Sequence, residues 1–162
     1  MWLAVAAEIA ALTALAVWSV ALTIIDVRTH RLPDRLVLPA YPIAAALLGS
    51  AAVLRGEPER LLTIGGGALA LFAFYLALRL ARAGGMGGGD VKLAGVLGLF
   101  LGAFGWETVL FGALAGFVFG GVYATVLLLT RRASRTHAVA FGPWMLLGAW
   151  AAVIPAIVAR AG

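Results

Sequence analysis

The stretch GGMGGGDVKLAGVLGLFLGAF, residues 84–104, decides how this chain is read. A glycine run ends in a carboxylate, Asp90, at the mouth of an apolar segment from Val91 to about Phe104, which is 14 residues long. As a helix that segment measures about 21 Å, short of the ~30 Å hydrocarbon core of a bilayer. With Gly105 and Trp106 at the far interface, Asp90 does not reach the near one. The expectation is a carboxylate recessed below the membrane surface, where non-helical glycine backbone is tolerated only against protein or a water-filled cavity. An ionisable group beside a membrane helix is costly and is by default a functional-site hypothesis whose partner should be sought. The candidate partner is Asp26.

The composition around this stretch fixes the class. Hydrophobic residues make up 64% of the 162 residues and charged ones 12%, with a mean hydropathy of +1.06. A soluble domain of this size has no core large enough for so much apolar surface. The apolar residues fall in blocks long enough to cross a bilayer as helices and lack the alternation of barrel strands. The fold class expected is therefore all-α, a polytopic membrane bundle of about six helices forming one domain over residues 1–162. The absence of cysteine excludes disulfides and cysteine-ligated metal. The net charge of +5 is read as a signature of membrane orientation before nucleic-acid binding.

Trp2 to Ile25 reads as the first span, interrupted by Glu8 and a few hydroxyls and closed by Asp26. It is too long, and lacks the preceding basic segment, for a cleaved signal peptide. A polar loop, Val27 to Arg35, follows. The second span covers about Leu36 to Leu54, with Pro39 and Pro42 suggesting a bend or a late start. After a polar turn at Arg55–Arg60, Leu61 to Leu80 is the third span, opening on Gly65, Gly66 and Gly67. These read as helix packing, since a phosphate cradle would need a following Gly, Lys and Ser or Thr. The short fourth span is Val91 to Phe104. The fifth, Thr108 to Thr130, carries a packing stripe of Gly112, Gly116 and Gly120. Ala138 to Ala159 is the sixth, broken by Pro143 and Pro155.

Cytoplasmic loops carry an excess of Lys and Arg. The side holding the loops after spans one, three and five has Arg28, Arg31, Arg35, Arg79, Arg82, Lys92, Arg131, Arg132 and Arg135, against Arg55, Arg60 and Arg160 on the other. Nine against three puts both termini outside and both Asp26 and Asp90 on the cytoplasmic side.

Two carboxylates at the same ends of two helices suggest acid–base chemistry on water. A close pair cannot easily ionise together, so one holds a proton as the acid while the other acts as the base. One aspartate would take a proton from water attacking a peptide carbonyl, and the other would donate to the developing oxyanion or leaving amine. No other nucleophile competes: there is no cysteine, the histidines lie in separate loops, and Ser19, Ser50 and Ser134 have no base nearby in sequence. Each residue also has a structural reading. Asp26 would pair with a loop arginine or cap a helix end, and Asp90 and Asp34 would be N-caps. Lys92 would snorkel or pair with an aspartate, and His30 and His137 would be interfacial charges.

Gly87-Gly88-Gly89-Asp90, continued by Val91-Lys92-Leu93, resembles the GxGD motif of the type IV prepilin peptidases, membrane aspartic proteases that include the archaeal preflagellin peptidases. Asp26 through Pro33 and Asp34 resemble a second signature of that family. Phe141-Gly142-Pro143 resemble a third, less specific one. The resemblance covers nearly the whole chain. It implies Asp26 and Asp90 as the catalytic pair, with Gly87, Gly88, Gly89, Lys92 and Asp34 as substrate-binding or supporting residues and no metal or other cofactor. It implies removal of a short basic leader, usually after a glycine, from pilin-like precursors of pilus or secretion systems at the cytoplasmic face of the cell membrane. Long members add a cytoplasmic zinc-binding region with paired cysteines, together with N-methylation of the product. Without cysteine, this chain resembles the short, peptidase-only branch. The partners implied are the precursor and the lipid bilayer, not nucleic acid. Because the cytoplasmic face is itself basic, Asp26, Asp90 and Asp34 are the acidic contacts expected for the leader. Two alternatives stand beside this: an intramembrane protease acting on other helices, and a small proton-coupled transporter using the glycine breaks as its pore.

Overall fold

A computed structural model describes residues 1–81, 86–130 and 140–161, and six helices are found among the described residues. These are α1 (Trp2–Thr29), α2 (Asp34–Leu54), α3 (Arg60–Ala81), α4 (Gly88–Gly102), α5 (Trp106–Leu129) and α6 (Gly142–Ala161). Five of them, all but α4, are long and apolar enough to cross a membrane. The α4 helix has 15 residues, about 22 Å of rise. The readings made of Arg82, Gly84, Gly85, Arg131, Arg132, Ser134, Arg135 and His137 lie outside the described residues.

The short helix is the core. Every residue from Leu93 to Gly102 is buried, and α2, α3, α5 and α6 all pack against it while α1 lies on α2 and α6. A helix apolar on every side belongs inside a bundle. Its closest partner is α3, because glycines remove the side chains between the two backbones. A Cβ at Gly67 would stand 2.6 Å from the Gly98 carbonyl oxygen, and one at Gly98 or Gly102 would collide with the backbone of Gly67 or Thr63. Of the three α3 glycines expected to pack, Gly67 meets α4, Gly66 faces the Trp106 ring at 3.0 Å, and Gly65 faces open space. The stripe on α5 behaves as expected: Gly112, Gly116 and Gly120 are buried, and a Cβ on Gly148 of α6 would lie 2.6 Å from the Gly112 carbonyl.

Several boundaries differ from the sequence expectation. The α1 helix does not stop at Ile25 but runs to Thr29, so Asp26 sits in its last turn. It is closed by His30 in the left-handed region (φ 51), whose N–H donates to the Asp26 carbonyl at 2.8 Å. The α2 helix starts at Asp34 and continues through Pro39 and Pro42, with no late start; both prolines are on its exposed side, while Val37, Ala40 and Ala44 are buried. Asp34 is its first residue and makes no side-chain cap.

At the end of the bundle away from Asp90, α4 stops in a tight turn whose Gly105 has φ 114 and ψ 171, a conformation reserved for glycine. The free carbonyl of Ala103 accepts hydrogen bonds from Arg160 (2.9 Å) and Arg60 (3.3 Å). Arg160 also lies 4.3 Å over the Phe104 ring. Glu8 pairs with Arg55 and, at 3.4 Å, with Arg160, and Glu57 pairs with Arg60 at 2.7 Å.

Candidate active site

At the other end of α4 the bundle opens into a cavity of about 220 Å³ lined by Asp26, Asp90, the loop residues His30, Arg31 and Leu32, and the glycines 87–89. Each aspartate is aimed into it by a different device. Asp26 is 4% exposed, and its Oδ2 accepts the N–H of Gly142 at 3.0 Å. Gly142 is the first residue of α6, so the carboxylate sits at a helix N-terminus, where backbone N–H groups and the helix dipole both favour an anion. The approach needs glycine, since a Cβ on Gly142 would be 2.7 Å from Asp26 Oδ2. Pro143, one residue on, falls in the first helical turn, where the lost N–H has no intrahelical use.

The alternative reading of Asp90 as an N-cap does not hold: it is the third residue of α4, with Gly87 at the N-cap position. Its Oδ2 reaches back to accept the Gly87 N–H at 3.1 Å, which is the carboxylate half of a capping box. The helix begins earlier than the apolar pattern suggested because this contact holds the glycines in the first turn. Those glycines also admit their neighbours. Leu32 covers Gly89, where a Cβ would lie 2.7 Å from the Leu32 Cβ, and Arg79 of α3 lays its guanidinium over Gly88.

The two carboxyl groups line the same cavity. Tyr75, 2% exposed, belongs to an aromatic wall, with its ring 5.4 Å from Phe117 and 6.3 Å from Phe141. Asp34 and Lys92 do not line the cavity; they pair with each other at its edge, both carboxylate oxygens 2.7 Å from Lys92 Nζ. His30, expected as an interfacial charge, lines the cavity. Sequence reasoning gave no individual site role to Gly142, Leu32, Arg79 or Tyr75: Gly142 and Leu32 stood only inside quoted signatures, Arg79 was counted only for orientation, and Tyr75 was not singled out. Among the described residues, no group of three His, Cys, Asp or Glu side chains is placed to hold a metal ion.

Such a cavity can hold water between two carboxyl groups, each oriented by one backbone N–H, which is the equipment for general acid–base hydrolysis.

The profile of the type IV leader peptidase family matches residues 13–125, a range that includes Asp26, Asp34, Asp90 and Lys92. The chain is 32% identical over 135 residues to a prepilin leader peptidase/N-methyltransferase of Stutzerimonas stutzeri, covering 83% of this chain and 45% of the relative. It is 33% identical over 149 residues to the protein of that name from Aeromonas salmonicida, with the same two coverages. The counterpart from Escherichia coli K12 is 29% identical over 127 residues, 78% of this chain and 55% of the relative. The chain thus spans about half the length of the curated relatives it matches. No solved structure matches it.

Proposed function

The chain belongs to the type IV leader peptidase family, and from that premise we propose that it is a membrane aspartic endopeptidase removing the leader from pilin-like precursors, with Asp26 and Asp90 as its catalytic pair. The observation that carries this reading is the single cavity lined by both aspartates and the glycines 87–89. One carboxylate takes a proton from water as the water oxygen bonds to the scissile carbonyl carbon. The other carboxyl, protonated, stabilises the developing oxyanion and then gives its proton to the leaving nitrogen as the C–N bond breaks. The products are a leader ending in a carboxylic acid and a mature protein with a new amino terminus. The Gly142 and Gly87 N–H groups hold the two side chains in place through the cycle.

The excess of basic residues at the dyad end supports a cytoplasmic active site, with α1 beginning and α6 ending on the outer side. Of the two activities in the relatives' names, the peptidase is the one proposed for these 162 residues, because carboxylate chemistry is what the cavity offers. Gly87, Gly88 and Gly89 let the Asp90 carboxylate, Arg79 and Leu32 close in around the first turn of α4, so in this reading they support the site by packing.

The test is to coexpress the chain with a pilin-like precursor and follow leader removal in membranes. Conversion in wild type that stops in both Asp26→Ala and Asp90→Ala is the expected result. Conversion surviving either substitution sinks the dyad, and ion flux without any cleavage replaces the peptidase with a transporter.

A further inference from the structure

Lys92 stands in an unfavourable place for a cation. It is the fifth residue of α4, just past the first turn and toward the positive end of the helix dipole. Two residues beyond Asp90, it points away from the cavity, because i and i+2 on a helix do not face each other. There it meets Asp34, the first residue of α2, with both carboxylate oxygens at 2.7 Å. Asp34 in turn stands at a helix N-terminus, where an anion is favoured.

The pair does not stand alone. The Tyr41 hydroxyl of α2 donates to the Lys92 carbonyl at 2.7 Å, and its ring crosses Gly95, where any Cβ would collide with it. On the neighbouring side Leu32 is seated on Gly89. Three contacts therefore tie the α1–α2 hairpin, which carries Asp26, to the first two turns of α4, which carry Asp90.

We infer that the Asp34–Lys92 pair is a positioning latch that sets the spacing between the helix ends bearing Asp26 and Asp90. This rests on the proposed peptidase reading and alters one part of the sequence expectation. With both oxygens of Asp34 engaged by Lys92, Asp34 acts on cleavage through the geometry of the dyad and not as an acidic contact for the leader. An ion pair this open to its surroundings contributes little to global stability. Its effect falls on the precision of the site, where a displacement of about 1 Å costs on the order of 100-fold in rate.

The chain has no cysteine, so spin labels can be attached cleanly at Arg35→Cys and Leu80→Cys, exposed positions on α2 and on the α3 helix that holds α4. In detergent or liposomes the parent gives one narrow distance distribution. Asp34→Ala and Lys92→Ala broaden or shift it, and the charge exchange D34K/K92D narrows it again. In the cleavage assay either alanine variant lowers kcat by about 100-fold, with KM for the precursor unchanged and the same loss for leaders of different charge, and the exchange recovers much of the rate. A distance distribution unmoved by Asp34→Ala overturns the latch whatever the activity. So does a KM that rises with the number of basic residues in the leader while kcat is kept. A parent that cleaves no precursor, yet whose distances broaden in Asp34→Ala, refutes the peptidase reading and leaves the latch standing.

Discussion

The two ends of α4 handle charge in opposite ways. At the Gly102 end, Arg55, Arg60 and Arg160 meet Glu8, Glu57 and the Ala103 carbonyl, so all three arginines have a counter-charge or a backbone acceptor. At the Gly87 end, Asp26 and Asp90 each accept one backbone N–H across a cavity, and among the described residues neither is in an ion pair. Compensated charge at the first end closes the bundle around the terminus of a helix too short for its membrane. At the second, His30 and Arg31 line the same cavity as the two carboxylates, but among the described residues neither carboxylate is tied to a cation by an ion pair. The cation nearest in sequence, Lys92, is turned outward and held by Asp34.

Breaking the open end has the largest expected effect. Asp26→Asn or Asp90→Asn lowers precursor cleavage by roughly 10⁴-fold, the scale seen when one member of a catalytic unit is removed, while the helical circular dichroism of the purified protein stays as in wild type. Gly142→Ala is next. Its methyl group intrudes on Asp26 Oδ2, and the displaced carboxylate lowers kcat by about 100-fold, with little change in the melting temperature. Between the two ends, Gly98→Ala forces α3 and α4 apart. It destabilises the fold by about 1–3 kcal/mol, measured by unfolding in mixed micelles, and lowers the amount of folded protein more than the activity of what remains. The smallest effect belongs to the closed end. Glu8→Gln leaves Arg55 and Arg160 without their carboxylate and costs about 1 kcal/mol, with cleavage nearly unchanged. A Glu8 variant that loses cleavage while keeping its stability would erase the contrast between the ends.

Much of this was legible in the sequence, and the residues show where legibility stops. Hydropathy and the helix repeat revealed six helices, the brevity of α4 and the stripe of Gly112, Gly116 and Gly120, because each is a local or periodic signal. The ends of α1, α2 and α4 were misplaced by a few residues. They are set by contacts that hydropathy does not register: His30 folding back on the Asp26 carbonyl, Lys92 holding Asp34 at the first residue of α2, and Asp90 reaching back to Gly87. In the candidate site, Asp26 and Asp90 stood out as carboxylates at the edges of apolar spans. Gly142 did not, since its part depends on an N–H meeting a carboxylate 116 positions away. The pairing of Lys92 with an aspartate was among the expectations, but its choice of Asp34, 58 positions away, needed the fold. Glu8 looked like a mere interruption of an apolar span until the ends of α2 and α6 arrived beside it.

The fifteen residues of α4 make the surrounding lipid a variable of the reaction. The helix falls about 8 Å short of a typical hydrocarbon core, and the ion pairs around Ala103 fix its far terminus. The whole mismatch therefore accumulates on the side of the aspartates. In the proposed peptidase, a bilayer of longer acyl chains would lengthen the path of water and precursor to Asp90, and a thinner one would shorten it. For the proposed dyad, acyl-chain length then works as an adjustment of depth.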